Sequence, residues 1–421
     1  MIDQMQQKTY CPYAFKGLAI EPNNDIKPCC RYDTTNDQKI PNTSSLKQPV
    51  QALGSVLFKD IRQKMKQGQE VPGCWKCTKE EQAIGKSMRT NAITQFNDYG
   101  NLPQDIQLEF LELMVGRQCN LKCRTCSPYL STSWDEDLKK SDGVKTLFFG
   151  ASHEQFDDMT KRSITNESIL SFSHETCKKL KDIKITGGEP FLQDDLIIFL
   201  DRLVEWDLAK HIRLEIFTNC SFYPKPKYRS MFKSFKEVKI KLSLDAIGTK
   251  SDYIRKKSTW DKTVKVAEFW KQYAQENNNI EIGISHTVSI FNILYYDEYI
   301  DWIIDMFSDT FTIDVNPIHY PTYLTAYNFP NDVKQKIQTE LHKQQESLKN
   351  KFDSRLYRKY IGKYMLKLID YLETDSNKNE PTFAGRDIIN QFKATTESLD
   401  EVRNDNSWQL VFPKLSEIIN D

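Results

Sequence analysis

Short apolar runs alternate with longer amphipathic stretches between about residues 105 and 320. The runs predict strands at residues 108–115, 183–186, 214–218, 238–244, 280–286 and 311–315. Between the second and third runs, Leu196, Leu200 and Leu203 recur at helical spacing. Strands joined by helix-length connections imply parallel βαβ units. We therefore expect an α/β fold, a partial (β/α)6 TIM-like barrel, with chemistry at the carboxyl ends of its strands.

Two regions with other patterns flank this barrel. Residues 1–100 are rich in turn signals and contain five cysteines, and apolar residues spaced by four predict one helix at 56–65. From about residue 325 onward the apolar spacing is helical. We expect a small Cys-rich domain at 1–100, the barrel at 101–324 and a helical C-terminal region at 325–421.

Composition and charge narrow the class of protein. The 58 Lys and Arg residues balance 58 Asp and Glu residues, which disfavours a long nucleic acid as partner. No apolar run reaches the ~18 residues of a membrane span, and the N-terminus lacks a signal-peptide pattern. We expect a cytoplasmic protein without a membrane partner. In a reducing compartment, ten cysteines, eight of them grouped, favour metal ligands over disulfides.

The first cysteine group directly follows the first predicted barrel strand. Cys119, Cys123 and Cys126 are separated by three and then two residues. Three thiolates in a short loop can ligate three irons of a [4Fe–4S] cluster and leave the fourth iron open. Zinc sites usually take four ligands from paired short spacings, so this triplet favours an iron–sulfur cluster.

A second motif strengthens this interpretation. The second strand leads directly into Gly187, Gly188, Glu189 and Pro190, where glycines permit a sharp turn and a close approach. The cysteine loop and this turn, one βα unit apart, resemble the radical S-adenosylmethionine (SAM) superfamily over residues 105–320. The resemblance implies that the open iron chelates SAM. One electron then yields methionine and a 5′-deoxyadenosyl radical, which abstracts a hydrogen atom from the substrate.

The resemblance also implies contacts with the cofactor SAM. The turn at 187–190, including Glu189, would meet the SAM ammonium. Thr218 and Asn219 end the third strand where the family often has Thr-Asn-Gly, and Cys220 replaces the glycine here. Thr125 stands where family members usually carry an aromatic residue near the adenine.

Three further cofactor-binding candidates come from the fourth strand and the segment after it. Ser243 and Asp245 lie at its carboxyl end, opposite its apolar face, where similar enzymes bind the ribose. Arg255 matches an arginine that contacts the SAM carboxylate in peptide-modifying relatives. This stretch therefore resembles the peptide-modifying branch of the superfamily.

The second cysteine group precedes the barrel. The pattern of Cys11, Cys29, Cys74 and Cys77 resembles the auxiliary-cluster domains called twitch and SPASM. Four thiolates suffice for a second [4Fe–4S] cluster. Cys29 and Cys30 compete for one position, and the spacing after the preceding Lys-Pro turn favours Cys29. A tetrahedral structural zinc is the alternative.

These patterns predict a radical SAM enzyme that acts on a peptide or protein side chain, with a reductant such as flavodoxin or ferredoxin. A small-molecule or nucleotide substrate is the second hypothesis. A non-catalytic metal-binding interaction protein that keeps the fold is the third. No catalytic side chain, bond formed or oligomeric state follows from the sequence.

Overall fold

The computed structural model describes residues 9–35, 40–96, 106–149, 167–308, 310–373 and 386–420. Within these residues the strands form one sheet in the order β2-β1-β3-β4-β5-β6-β7-β8. β2 is antiparallel to β1, whereas β1–β3, β3–β4, β4–β5 and β7–β8 pair in parallel. The predicted α/β class is confirmed. The strands are β1 Gly17–Ile20, β2 Ile26–Lys27, β3 Phe110–Met114, β4 Asp182–Thr186, β5 Arg213–Thr218, β6 Glu237–Ser243, β7 Ile280–Val288 and β8 Phe311–Pro317.

Helices connect the strands and form the C-terminal region, as predicted. None of the helices in the described ranges is long and apolar enough to cross a membrane. The helices are α1 Tyr13–Lys16, α2 Val56–Lys66, α3 Trp75–Ile84, α4 Met88–Gln95, α5 Asp135–Lys140, α6 Asp142–Phe149, α7 His174–Cys177, α8 Asp194–Glu205, α9 Pro226–Phe232, α10 Gly248–Ile254, α11 Trp260–Glu276, α12 Tyr296–Phe307, α13 Asn331–Lys351, α14 Ser354–Leu356, α15 Lys363–Glu373, α16 Arg386–Arg403, α17 Trp408–Val411 and α18 Pro413–Asn420.

Two compact units divide the chain. The first contains Met1–Gln118, Ser163–Ile216 and Pro224–Lys239, and the second contains Cys119–Arg162, Phe217–Tyr223 and Ile240–Asp421. The first unit thus combines the Cys-rich region with β3, β4 and β5. The second combines the cysteine loop with β7, β8 and the C-terminal helices.

In the first unit, alternation along the strands separates an apolar face from a charged one. Leu111 of β3 is paired with Ile183 of β4, and both are buried. The next pair, Glu112 and Lys184, points to the other face, because successive side chains alternate across a sheet. Lys184 Nζ lies 2.9 Å from Glu112 Oε1, so the buried carboxylate is neutralised.

The Cys-rich region adds β1 and β2, which the apolar pattern did not predict. β1 runs parallel to β3, with Gly17 opposite Phe110. The predicted helix at 56–65 is present as α2, where Ile61 and Met65 are buried. These side chains pack with Tyr13 and Phe110 in one apolar cluster.

In the second unit, C-terminal side chains cover the carbonyl groups of the edge strand β8. Side chains from the π-helical turn Tyr357–Gly362 and from α15 donate hydrogen bonds to carbonyl oxygens in and just after β8. Unpaired edge groups otherwise offer a template for pairing with another strand, so these contacts close the edge. The pairs are Tyr360 with Phe311 (3.1 Å), Tyr364 with Ile313 (2.5 Å), Lys367 with Val315 (2.6 Å) and Tyr371 with Ile318 (2.9 Å).

Candidate active site

The cysteine loop at residues 119–126 contains no helix or strand, and backbone hydrogen bonds hold it. The N–H groups of Lys122 and Arg124 donate to the carbonyls of residues 256 and 254, at 3.1 and 2.7 Å. These two bonds lie on either side of Cys123 and of Arg255. The register therefore sets Cys123 opposite Arg255.

The three thiols of the loop are close neighbours. Burial raises the pKa of Cys123, while the guanidinium groups of Arg255 and Arg403 act in the opposite direction. Burial also raises the pKa of Cys126, and the nearby thiols of Cys123 and Cys119 raise it further. Without a ligand, the Cys123 and Cys126 side chains are therefore neutral thiols near pH 7. Metal binding would have to displace their protons.

A hydrogen-bonded amide group borders the loop. Asn219 Nδ2 lies 3.7 Å from Cys119 Sγ and donates to Asn120 Oδ1 at 2.9 Å. Asn219 Oδ1 accepts bonds from the backbone N–H and the hydroxyl of Ser221, and Asn120 Nδ2 donates to that hydroxyl at 2.8 Å. Asn219 is thus oriented next to Cys119. The sequence interpretation included Asn219 and missed Asn120 and Ser221, although all three are polar residues next to predicted site positions.

The turn after β5 has a backbone conformation that normally favours glycine. Cys220 has a φ of 57°, in the left-handed region. This conformation accounts for the glycine at the matching position of the Thr-Asn-Gly pattern. The buried Thr218 accepts the Cys220 N–H through Oγ1 at 3.4 Å, which secures the turn.

The carboxylate of Asp245 orients Arg255. Arg255 Nη1 donates to Asp245 Oδ2 at 2.6 Å, and Asp245 Oδ1 accepts the backbone N–H of Thr287 at 2.9 Å. Burial by itself lowers the pKa of Arg255, but Cys123 and Asp245 raise it overall. Arg255 Nε is buried and has no hydrogen-bond partner among the described residues. A buried donor that the folded chain leaves unpaired calls for an acceptor from outside the described residues. Ser243 lies half-buried at the end of β6.

Glycines in the turn after β4 allow it to approach the chain that leads into the cysteine loop. Gly187 has a φ of 111°, and Gly188 N–H donates to the carbonyl of Gly116 at 3.0 Å. A Cβ atom added to Gly188 would lie 2.3 Å from the carbonyl oxygen of Gln118. The sequence interpretation attributed these glycines to a close approach by a ligand. In the structure, the close approach is to the protein backbone directly before Cys119.

The acidic and proline residues complete this turn. Glu189 N–H donates to the carbonyl of Gln118 at 2.8 Å, and Glu189 Oε1 accepts the N–H of Phe191 at 3.3 Å. Glu189 and Pro190 are both buried. The backbone of residues 187–190 thus holds residues 116–118, which lead into the cysteine loop, in place.

The N-terminal cysteines form a second group, inside the first unit. Cys11 is buried in the apolar cluster, and Cys29 and Cys74 pack against it. Burial raises the pKa of Cys11 to about 12, with a further contribution from the nearby Cys77. Burial raises the pKa of Cys29 well above its ordinary value, and the thiols of Cys30, Cys11 and Cys74 add to this effect. Four thiols therefore lie near one another at Cys11, Cys29, Cys74 and Cys77.

Cys30 differs from Cys29 in its surroundings. Its N–H donates to Glu112 Oε2 at 3.2 Å. Burial raises the pKa of the Cys30 thiol to about 12, and the Glu112 carboxylate raises it as well, whereas Lys184 lowers it. Cys30 is therefore associated with the charged face of β3 and β4. This geometry favours Cys29 for the four-thiol group.

Both cysteine groups offer thiols, which are ligands for iron–sulfur clusters and for zinc. Within the residues that the structure describes, no three His, Cys, Asp or Glu side chains converge on one metal position. In an iron–sulfur cluster each cysteine binds a different iron, so the sulfurs need not converge on one atom. Loops that supply only thiols fit this requirement.

The chain is similar to several known proteins. Residues 113–316 match the family model described as the Radical SAM superfamily. It is 30% identical over 146 residues to GTP 3′,8-cyclase from Aliarcobacter butzleri (strain RM4018), covering 34% of this chain and 36% of that protein.

Solved structures with similarity to this chain include two peptide complexes. One is anSMEcpe with bound AdoMet and Cp18Cys peptide, at 17% identity and a TM-score of 0.34, covering 57% of this chain and 61% of that one. Another is SuiB of Streptococcus suis bound to the precursor peptide SuiA, at 13% identity and a TM-score of 0.35, covering 75% and 66%. The chain thus spans about a third of the curated relative and under two thirds of the first of these structures.

We predict that Gly188→Ala displaces the cysteine loop, because the new methyl group would overlap the Gln118 carbonyl. Overpacking of this kind costs about 1–3 kcal/mol. After anaerobic reconstitution, iron analysis should show loss of the cluster at Cys119, Cys123 and Cys126. Gly54→Ala is the control, since a Cβ there meets nothing within 4 Å. Equal iron contents in the two variants would contradict the prediction.

We also predict that Cys29→Ala removes the N-terminal metal site and that Cys30→Ala retains it, because the Cys30 thiol is associated with Glu112. In a variant that also lacks Cys119, Cys123 and Cys126, metal analysis reports on the N-terminal site alone. Loss of metal in Cys30→Ala with retention in Cys29→Ala would reverse the assignment.

Proposed function

We propose that the protein is a radical SAM enzyme that cleaves SAM reductively and abstracts a hydrogen atom from a substrate. The observation that carries the proposal is the cysteine loop, in which three neighbouring thiols lie beside the buried guanidinium of Arg255. The match of residues 113–316 to the Radical SAM superfamily model supports it.

Cys119, Cys123 and Cys126 would each ligate one iron of a [4Fe–4S] cluster. When bound, the cluster supplies the electron that splits SAM into methionine and a 5′-deoxyadenosyl radical, the species that abstracts hydrogen. The protein holds the three thiols on one loop and orients the cofactor. Asn219, 3.7 Å from Cys119 Sγ, would support the first ligand by donating a hydrogen bond.

The chain offers complementary groups for SAM. The free Nε donor of Arg255 suits the SAM carboxylate, and Asp245 keeps the guanidinium in place. By the family resemblance, the turn that contains Glu189 would meet the SAM ammonium, and Ser243 would offer a hydroxyl for the ribose. The complete proposed set is Gly187, Gly188, Glu189, Pro190, Thr218, Asn219, Ser243, Asp245 and Arg255.

The N-terminal cysteines would hold an auxiliary cluster in a domain of the twitch or SPASM type. The group of four thiols at Cys11, Cys29, Cys74 and Cys77 supports this proposal. A structural zinc would use the same four ligands. The metal content of purified protein distinguishes iron from zinc. If the site holds an iron–sulfur cluster, a one-electron donor such as flavodoxin or ferredoxin would reduce it.

The favoured substrate is a peptide or protein side chain. The motivation is the similarity of residues 243–255 to the peptide-modifying branch. A polypeptide can bind by strand addition or through side-chain pockets. The carbonyls along the outer edge of β8 already accept hydrogen bonds from C-terminal side chains, which disfavours strand addition there. The proposal therefore does not place an added strand at β8.

A nucleotide or other small-molecule substrate is the second candidate. The 146-residue similarity to a protein named GTP 3′,8-cyclase favours it. A small molecule needs a concave pocket that buries most of its surface, whereas a peptide needs an open groove. Both candidate functions require the same cleavage of SAM. They differ only in the substrate from which the radical abstracts a hydrogen atom.

Replacing Cys119, Cys123 and Cys126 together with Ala should abolish reductive SAM cleavage, because no thiolate would remain for the cluster irons. The measurement is 5′-deoxyadenosine formation with dithionite under anaerobic conditions. Cys177→Ala, which removes a buried thiol outside both groups, should retain activity. Undiminished product in the triple variant would contradict the proposed function.

Substrate class is tested by co-expressing the protein with peptides encoded beside its gene, followed by mass spectrometry. The peptide proposal predicts a mass change in one such peptide, lost with the triple Cys→Ala variant. Modification of a nucleotide pool with all peptides unaltered would move the assignment to the second candidate.

A further inference from the structure

Two cationic side chains of the cysteine loop project into a buried ionic network. Arg124, which flanks Cys123, is 1% exposed. Its Nη2 contacts Asp400 Oδ1 at 2.5 Å and Asp405 Oδ2 at 2.8 Å, and its guanidinium lies 3.8 Å from the Tyr253 ring centroid. Asp400 is on the C-terminal helix α16, which lies outside residues 113–316.

The other flanking residue joins the same helix through a shared carboxylate. Lys122 pairs with Asp137, and Arg403 of α16 donates from Nε to the second oxygen of Asp137 at 2.7 Å. The side chains of Asp137 and Arg403 are fully buried. Both neighbours of Cys123 are therefore fixed, directly or through one residue, to α16.

Residues 253 and 254, which precede Arg255 in the chain, connect it to this network. The carbonyl of Tyr253 accepts a bond from Arg124 Nε at 3.3 Å, and the Tyr253 hydroxyl donates to Asp400 at 2.6 Å. The carbonyl of residue 254 accepts the Arg124 N–H at 2.7 Å. Arg124 thus links α16 to the segment that carries Arg255.

Stable packing of α16 against the cysteine loop does not require buried charges. Replacing a buried ion pair by apolar residues is often neutral or stabilising, so buried pairs are weak evidence for a role in stability. Their directional hydrogen bonds instead restrict geometry. Partners that orient a metal ligand typically change metal affinity or activity about 10- to 100-fold when replaced.

We infer that Asp400, with Arg403 and Asp137, positions the cysteine loop, so that helix α16 is a functional part of the SAM-cleaving site. These are positioning residues that act through Arg124 and Lys122. The inference rests on the proposed function, since it assumes that the loop binds a cluster and SAM.

Asp400→Asn tests the inference, because it removes the charge and keeps the shape. Reconstituted variant protein should bind SAM up to about tenfold more weakly than wild type, because Asp400 acts on the loop through Arg124. The electron paramagnetic resonance change that SAM produces in the reduced cluster should weaken accordingly. Glu397→Gln is the matched control, since Glu397 is exposed on the same helix, and it should match wild type.

A double-variant cycle separates positioning from a general loss of structure. Arg124→Gln should weaken SAM binding, and adding Asp400→Asn should cost less than it does alone, because the residues act through one contact. Additive losses, or wild-type SAM affinity and spectrum in Asp400→Asn, would overturn the inference.

Two further measurements keep the test decisive. If Asp400→Asn loses its circular dichroism signal, Tyr253→Phe removes only the 2.6 Å hydrogen bond to Asp400 and should show a smaller loss of SAM affinity. Unchanged affinity in that variant would then overturn the inference. Failure of wild-type protein to bind SAM would instead refute the proposed function itself.

Discussion

The conformation of the cysteine loop is the constraint on which the site depends. Residues 119–126 form no helix or strand, although the N–H of Cys126 donates to the carbonyl of Cys123 at 3.1 Å inside the loop. Backbone bonds to residues 254 and 256 fix its middle, and the turn with Gly188 braces the residues that precede it. Because a cluster needs its cysteines at defined separations, these contacts from distant parts of the chain are a precondition for the chemistry.

Buried charge is the second element of this arrangement. Removing one partner of a buried ion pair costs about 3–5 kcal/mol, because it leaves an unpaired charge in the interior. Arg124 pairs with Asp400, Arg403 pairs with Asp137, and Arg255 pairs with Asp245. The loop that would bind the cofactor is therefore surrounded by groups whose positions are strongly coupled.

Local sequence patterns predicted the structural features that are determined by residues close together in the chain. The apolar runs predicted the six strands β3 to β8, and residue spacing predicted both cysteine groups and the turn at Gly188. Strands β1 and β2 were missed because four and two residues are too short to show a period. The contact between Arg124 and Asp400 joins residues 276 positions apart, and no spacing rule links such a pair. The C-terminal region was accordingly predicted as helical without a role at the site.

The most direct test of the central claim is whether SAM binds to the open iron of a cluster held by Cys119, Cys123 and Cys126. Electron–nuclear double resonance of the reduced protein, with SAM labelled by 15N at its amino group, measures this contact. The N-terminal cysteines would be replaced so that a single cluster contributes to the signal. The account predicts a 15N coupling that is replaced by a 14N coupling when unlabelled SAM replaces the labelled form. A reduced cluster at these cysteines that shows no coupling in the presence of saturating SAM would contradict it.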